Sequence, residues 1–259
     1  MKQYAVGIDI GSTCAKAVVL ESSGNIVQRL VQPTGWSSAD TAQQIQTQLS
    51  EFIPQADIAA TGYGRVCVPY AHKQITEITC HARGACALYG EQTLTVIDIG
   101  GQDTKIIRVE DGRVADFLMN DKCSAGTGRF LDVMAGTLGL APEELYALAA
   151  RGGGVHISSM CTVFAESEVV SLIGSGEGKE NIAYAVVDSI VTKVAAQAAR
   201  LLPTEGPVCL TGGLCQAQVL VDALSGVLKR PVLTCPDGRY AGAVGAAILA
   251  GGFSSDLSR

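Results

Sequence analysis

The chain opens on an apolar run, Tyr4-Ala5-Val6-Gly7-Ile8-Asp9-Ile10, which meets an acid and then passes into Gly11-Ser12-Thr13. A stretch of apolar residues, Ala17-Val18-Val19-Leu20, follows. Next come a turn at Ser22-Ser23-Gly24-Asn25 and another apolar run from Ile26. That order predicts strand, tight hairpin, strand, turn, strand. The same order returns 89 residues later, counted from Asp9 to Asp98. Thr95-Val96-Ile97-Asp98-Ile99 leads through Gly100-Gly101-Gln102-Asp103 into Thr104-Lys105-Ile106-Ile107-Arg108-Val109. Glu110-Asp111-Gly112 is the turn, and Val114-Ala115-Asp116-Phe117 continues the pattern. A lysine stands seven residues after each acid, Lys16 and Lys105. One Asp-Ile-Gly carries little weight. Two copies with the same downstream hairpin indicate two related halves.

Between and after these copies, apolar spacing predicts helices at 39–53, 72–89, 125–138, 142–150, 162–174, 180–202 and 216–228. Pro142-Glu143-Glu144 opens one of them, with proline and acids where a helix N-terminus favours them, and Gly152-Gly153-Gly154 ends it. Gly174-Ser175-Gly176-Glu177-Gly178 reads as a flexible loop. Strands alternating with helices predict an α/β chain. Residues 1–90, with a returning C-terminal segment 237–259, form the expected domain I. Residues 91–236 form the expected domain II.

Composition narrows the class. At 259 residues, 47% hydrophobic and 17% charged, the chain is expected to be globular, with room for one large domain or two small ones. A net charge of −6 without a Lys/Arg cluster argues against a nucleic-acid partner. The longest apolar candidate for a membrane, Ala241 to Phe253, is short and Gly/Ala-rich, so a buried helix is expected instead. Met1-Lys2-Gln3-Tyr4 runs directly into the first strand, so no export signal and a cytoplasmic location are expected. In that reducing setting the nine cysteines do not read as disulfides. Cys14, Cys67, Cys80, Cys86, Cys209 and Cys235 read as small apolar packing residues. Cys123 and Cys161 stand apart. Each precedes an apolar helical pattern, in Asn120-Asp121-Lys122-Cys123-Ser124-Ala125-Gly126-Thr127-Gly128-Arg129-Phe130 and in Ser158-Ser159-Met160-Cys161-Thr162-Val163-Phe164-Ala165-Glu166-Ser167-Glu168-Val169.

The repeated loops have a chemistry of their own. Glycines at 11, 100 and 101 let backbone approach a phosphate closely. Exposed N–H groups and the hydroxyls of Ser12 and Thr13 suit phosphate oxygens. Asp9 and Asp98 stand at the loop mouths, where carboxylates suit a hydrated Mg2+. No Gly-x-x-x-x-Gly-Lys-Ser/Thr motif occurs in the chain.

The arrangement resembles the superfamily of actin, Hsp70 and sugar kinases. The resemblance implies two duplicated ribonuclease-H-like domains with a nucleotide cleft between them. Pro207-Val208-Cys209-Leu210-Thr211-Gly212-Gly213 resembles that superfamily's adenosine motif, which places Gly212 and Gly213 beside the nucleoside. Gly238 to Ala250 resembles its late glycine-rich helix. With the two cysteine motifs included, the chain from Gly7 to about Gly252 resembles the activators of 2-hydroxyacyl-CoA dehydratases and the related ATPase subunits of benzoyl-CoA reductase.

This resemblance implies a homodimer with one [4Fe-4S] cluster on its two-fold axis, each subunit supplying Cys123 and Cys161. Both cysteines are expected at helix N-termini, which favour thiolate and an anionic cluster. It implies an ATP-dependent one-electron donor to a 2-hydroxyacyl-CoA dehydratase or a related iron–sulfur enzyme, itself supplied by a ferredoxin or flavodoxin. ATP·Mg2+ would be clasped between the loops, with Asp9 and Asp98 orienting the metal. Thr13, Lys16 and Gln102 would lie against phosphate, and Asp103 would position the attacking water. Several alternatives stay open. The phosphate loops equally suit a small-molecule kinase or an ATP-sensing module. Cys123, Cys161 and His156 also admit a zinc site. Glu166 and Glu168 read either as cleft carboxylates or as solvated helix positions, and Arg129 as a phosphate ligand or an ordinary ion-pair partner. His72 and His81 are expected at surface or helix positions.

Overall fold

The computed structural model describes residues 2–159 and 161–252. Met1, Met160 and the stretch 253–259, expected above to end the first domain, lie outside the described residues. The first half runs β1 (Tyr4–Ile10), β2 (Cys14–Glu21), β3 (Ile26–Pro33), α1 (Ser38–Gln48), β4 (Ala56–Thr61), β5 (Lys73–Gln74) and α2 (Glu77–Tyr89). The second begins with β6 (Leu94–Ile99), β7 (Thr104–Glu110) and β8 (Arg113–Asn120). Helices α3 (Gly128–Thr137), α4 (Pro142–Ala149), α5 (Thr162–Gly174) and α6 (Lys179–Ala198) follow. Then come β9 (Val208–Gly212), α7 (Gln218–Leu228), β10 (Val232–Leu233) and α8 (Ala241–Gly251).

The duplication is present strand for strand. One sheet has the order β3-β2-β1-β4-β5 and the other β8-β7-β6-β9-β10. In both, the central strand pairs antiparallel with its hairpin partner and parallel with the strand beyond it. Both central strands are covered on two faces, which is why they read as continuous apolar runs. Val6, Ile8 and Ile10 pack with Ala42 and Ile45 of α1 and with Leu49 just after it, while Ala5 joins α8. Ile97 and Ile99 join the large core built from α3 to α7, while Leu94 and Val96 face α2.

Helix α2 lies between the halves. Its Cys80 and Ala87 join the α8 cluster, and its Ala82, Ala85 and Cys86 join the second sheet. Close packing there depends on missing side chains. A Cβ at Gly84 would run into the Ala241 carbonyl, and one at Gly245 into the Cys80 carbonyl. We expect Gly245→Ala to cost about 3 kcal/mol, because the obstacle is backbone on a neighbouring helix. A urea midpoint equal to wild type would contradict this account of the α2–α8 contact.

Several helices are shorter than their sequence pattern. α1 stops at Gln48 instead of 53, because the chain leaves α geometry at Leu49 and Ile53–Gln55, which contains Pro54, forms a separate 3-10 turn. α2 starts at Glu77 instead of 72, because Lys73 and Gln74 pair with β4. α6 ends at Ala198, before Pro203. Gly126, with φ of 96°, keeps the chain out of helix until Gly128. Cys80, Cys86, Cys209 and Cys215 are buried, while Cys14, Cys67 and Cys235 are half-buried. Burial pushes the Cys80 and Cys209 thiols up to about 12 and Cys215 to about 11, so these remain neutral packing groups. No described helix is long and apolar enough to cross a membrane.

Candidate functional site: a two-loop cleft and a surface thiol pair

Strand register sets the two acids in equivalent places. Asp9 lies opposite Lys16 in the β1–β2 hairpin and beside Thr61 of β4. Asp98 lies opposite Lys105 in the β6–β7 hairpin and beside Thr211 of β9. The same turn closes both loops: Gly11 N–H donates to the Cys14 carbonyl at 3.2 Å, and Gly100 N–H to the Asp103 carbonyl at 2.9 Å. The repeat extends to Gly62 and Gly212, with φ of 84° and 87°. A Cβ at Gly62 would press on the Asp9 carboxylate, and one at Gly212 on that of Asp98. Thr61-Gly62 and Thr211-Gly212 are therefore a second duplicated motif. Its signal, Thr-Gly closing an apolar run, stands in the sequence at both places, and the Thr61-Gly62 copy adds a site residue pair that the Pro207–Gly213 motif alone did not indicate.

The loops face each other across one cleft of about 1150 Å³. Asp9, Gly11, Ser12, Thr13, Lys16, Asp98, Gly100, Gly101, Gln102, Asp103, Gly212 and Gly213 all line it. Thr13 touches the opposite loop so closely that a Cβ on Gly101 would overlap its side chain. Cys123 and Cys161 do not line this cleft.

Lys105 organises the floor. It is 1% exposed, and its Nζ lies 2.8 Å from Asp103, 2.9 Å from Glu77 and 3.5 Å from Asp98. Burial alone would lower its pKa, but Asp98, Glu77 and Asp103 raise it well above the ordinary lysine value. Burial pushes the Asp98 carboxyl up. His81, Lys105, Lys16 and the Thr211 hydroxyl outweigh that and hold it at about 2. Asp98 is therefore a carboxylate at any physiological pH. Glu77 is raised by burial, with Lys105 opposing. Asp103, the expected water-positioning acid, is thus ion-paired to the same lysine.

His81 corrects one expectation. It is on a helix but buried at 3% exposure, with Nδ1 3.3 Å from Asp98 and Nε2 3.9 Å from Asp9. It stands between the acids of the two halves because α2 runs between the two sheets. Gly242 of α8 makes room, since a Cβ there would press on both His81 and Asp9. Glu77 and His81 are one helical turn apart and face the cleft together. His72 is exposed, and its Nδ1 accepts from the Ile58 N–H.

The two remaining cysteines come together elsewhere. Cys161 is the N-cap residue of α5. Cys123 lies in the loop between β8 and α3, five residues ahead of that helix. The expected helix N-terminus therefore does not face Cys123. The first N–H groups of α3, from Gly128 and Arg129, donate instead to the Gly100 and Gly101 carbonyls at 2.9 and 2.8 Å. The Thr104 hydroxyl donates to the Gly126 carbonyl at 2.5 Å, and Asn120 Nδ2 to the Cys123 carbonyl at 2.9 Å. Ser124 and Thr162, each next to a cysteine, share a hydrogen bond at 2.8 Å. Both thiols are exposed.

The neighbouring polar residues have structural partners. Glu166 accepts from Thr137 on α3, and Glu168 accepts from Ser158 and Ser159, which lowers its pKa. His156 is exposed and lies 3.2 Å from Asp188. Among the described residues no three His, Cys, Asp or Glu side chains are placed to hold a metal ion together, so Cys123, Cys161 and His156 do not form a zinc ligand set. Arg129 is exposed and binds the second phosphate loop through its backbone.

A duplicated sheet pair with facing glycine loops is a nucleotide-cleft architecture, and comparison with known proteins decides the family. The profile of the BadF/BadG/BcrA/BcrD ATPase family matches residues 6–250. The chain belongs to that family. It is therefore an ATPase with the fold of actin, Hsp70 and sugar kinases. It is 41% identical over 256 residues to the (R)-2-hydroxyglutaryl-CoA dehydratase activating ATPase of Acidaminococcus fermentans, covering 96% of this chain and 98% of that one. The crystal structure of that dehydratase's component A superposes with a TM-score of 0.89 over 95% of this chain and 97% of the other. The activator of lactoyl-CoA dehydratase from Anaerotignum propionicum is 42% identical over 253 residues, with 95% and 97% covered. The 2-hydroxyisocaproyl-CoA dehydratase activator from Clostridium difficile, solved with bound ADPNP, is 36% identical with a TM-score of 0.87, over 95% and 94%.

Proposed function

We propose that this ATPase is an ATP-driven one-electron donor that activates a 2-hydroxyacyl-CoA dehydratase or a related CoA-ester reductase. The observation that carries the reading is a continuous hydrogen-bonded path from nucleotide loop to thiol pair. Gly100 and Gly101 hold the start of α3, Thr104 holds Gly126, and Ser124 holds Thr162 beside Cys161. A change at the second phosphate loop would thus reach the Cys123 segment through α3 and Thr104, and the Cys161 segment through the Ser124–Thr162 side-chain bond. The small-molecule kinase reading gives this path and its exposed thiols no task.

Within the cleft, the N–H groups of residues 12–13 and 101–102 and the hydroxyls of Ser12 and Thr13 receive phosphate oxygens, with Lys16 and Gln102 alongside. Gly212 and Gly213 take the nucleoside side. Asp9 and Asp98 are buried carboxylates opening on one cleft, a donor set that suits Mg2+ held through water. Asp103 orients the attacking water while Lys105 fixes its carboxylate. Residues 1–90 with 237–259 and residues 91–236 act as the two closing halves. Trp36, the chain's single tryptophan, is fully exposed at the cleft wall and reports on this closure. A non-hydrolysable ATP analogue with Mg2+ is expected to shift its emission and reduce acrylamide quenching. Unchanged quenching at saturating nucleotide would contradict closure over that wall.

Cys123 and Cys161 suit half of a [4Fe-4S] donor set, since such a cluster takes about four thiolates and one chain presents two exposed ones on segments joined by the Ser124–Thr162 hydrogen bond. A second copy of the chain completes the set. When bound, the cluster supplies the one-electron redox centre. Ser124 and Thr162 orient the ligand segments, and the α5 N-terminus favours thiolate at Cys161. The electron source is a ferredoxin or flavodoxin in a reducing compartment. Anaerobic purification with iron, sulfide and native-mass analysis tests the reading. About two irons and two sulfides per chain in a dimer are expected. Iron-free protein that resists reconstitution would leave a plain nucleotide-binding ATPase.

A further inference from the structure

Lys193 has no part in the cleft chemistry, yet it sits where the two cysteine segments meet. It belongs to α6, which contributes neither cysteine. Its Nζ donates to the Ser159 carbonyl at 3.4 Å, two residues before Cys161. The same Nζ lies 4.9 Å over the ring of Phe130, in the first turn of α3 after the Cys123 loop. Its Cβ lies 3.8 Å from where a Gly126 side chain would begin, so its stem runs along the Cys123 loop. One side chain therefore touches both segments from behind, with its aliphatic part packed and its ammonium held in place. Burial outweighs the opposing charges of Cys123, Cys161 and Glu168 and leaves its pKa below the ordinary lysine value. Glu168 is bonded to Ser158 and Ser159, and among the described residues it forms no direct ion pair with Lys193.

We propose that Lys193 is the fixed counter-charge of the thiol pair, a positioning residue that joins the two cysteine segments and favours the more negative redox state of the group they bind. The proposal rests on reading Cys123 and Cys161 as iron–sulfur ligands. The physical reason is simple. Four thiolates on a cubane give a net anion, and adding one electron makes it more negative without breaking a bond. A cation held in a partly buried position stabilises the reduced form more than the oxidised one, which raises the reduction potential. In a dimer, each copy brings its own Lys193 to the shared group.

The test uses anaerobically reconstituted full-length dimer. Lys193→Met, Lys193→Gln and Lys193→Arg are compared with wild type by iron content and then by EPR-monitored redox titration. Lys193→Met is expected to load iron but to show a reduced-to-oxidised ratio about tenfold lower at fixed potential, equal to about 59 mV for one electron. Lys193→Gln keeps a donor for the Ser159 carbonyl without the charge, and is expected to shift in the same direction. Lys193→Arg is expected to stay near wild type. If Lys193→Met fails to hold iron, the Gln variant decides. A loaded, uncharged variant with the wild-type midpoint overturns the proposal. Wild-type protein that takes up no iron overturns the iron–sulfur reading beneath it, which is a different result.

Discussion

Lys105→Met is expected to lower stability by about 3–5 kcal/mol and to abolish measurable ATPase activity, because it leaves Asp98, Asp103 and Glu77 grouped around an apolar side chain. The lysine is the largest of the fully buried side chains, and its charge balances carboxylates contributed by β6, α2 and the second phosphate loop. The pH dependence separates this from an ordinary packing defect. Asp98 is lowered from an ordinary 3.8 to about 2, so its contribution is fully present above about pH 4 and is lost as pH falls through 2. Without Lys105 the carboxylates protonate more readily, so the difference from wild type narrows as acid neutralises them. Urea denaturation at pH 7 and pH 4 measures this. A gap that is constant across that range would mean that volume, not charge, accounts for the loss.

The second large effect is a separation of activities. Cys123→Ala and Cys161→Ala are each expected to remove bound iron and all activation of a dehydratase, while basal ATP hydrolysis stays within about threefold of wild type. Both side chains are exposed and neither lines the cleft, so their loss leaves the nucleotide site intact and costs at most about 0.5 kcal/mol of stability. Iron content, dehydratase activation and phosphate release are measured on the same preparations. A variant that activates the partner without iron would favour an ATP-sensing module, and phosphorylation of a small molecule by the alanine variants would favour a kinase. Equal loss of hydrolysis would place the cysteines in the nucleotide machinery instead.

The sequence by itself determined the duplicated halves and both glycine-turn hairpin loops. These are local structures. An apolar strand, a glycine turn and a returning strand make their hydrogen bonds within a few residues, so their pattern survives in the order of side chains. The Asp9/Lys16 and Asp98/Lys105 pairings follow from hairpin register alone. Helix limits were less legible, because Pro54, the β5 pairing and Gly126 truncate patterns that continue in the side chains. Only the tertiary structure decided the rest of the site. His81 and Glu77 come from α2, which follows β5 as α8 follows β10 but lies outside the repeated hairpin, and nothing local marks them as cleft residues. Lys105 shows a hairpin partner in sequence, but three carboxylates in space. Cys123 and Cys161 are 38 residues apart, a spacing that encodes no ligand geometry. Their loops meet because α3 and α5 pack on one core, and Ser124 and Thr162 then fall within hydrogen-bonding distance. Periodicity reports which face of an element is buried. Which distant element covers that face is settled by packing and charge balance among parts of the chain that are far apart in sequence.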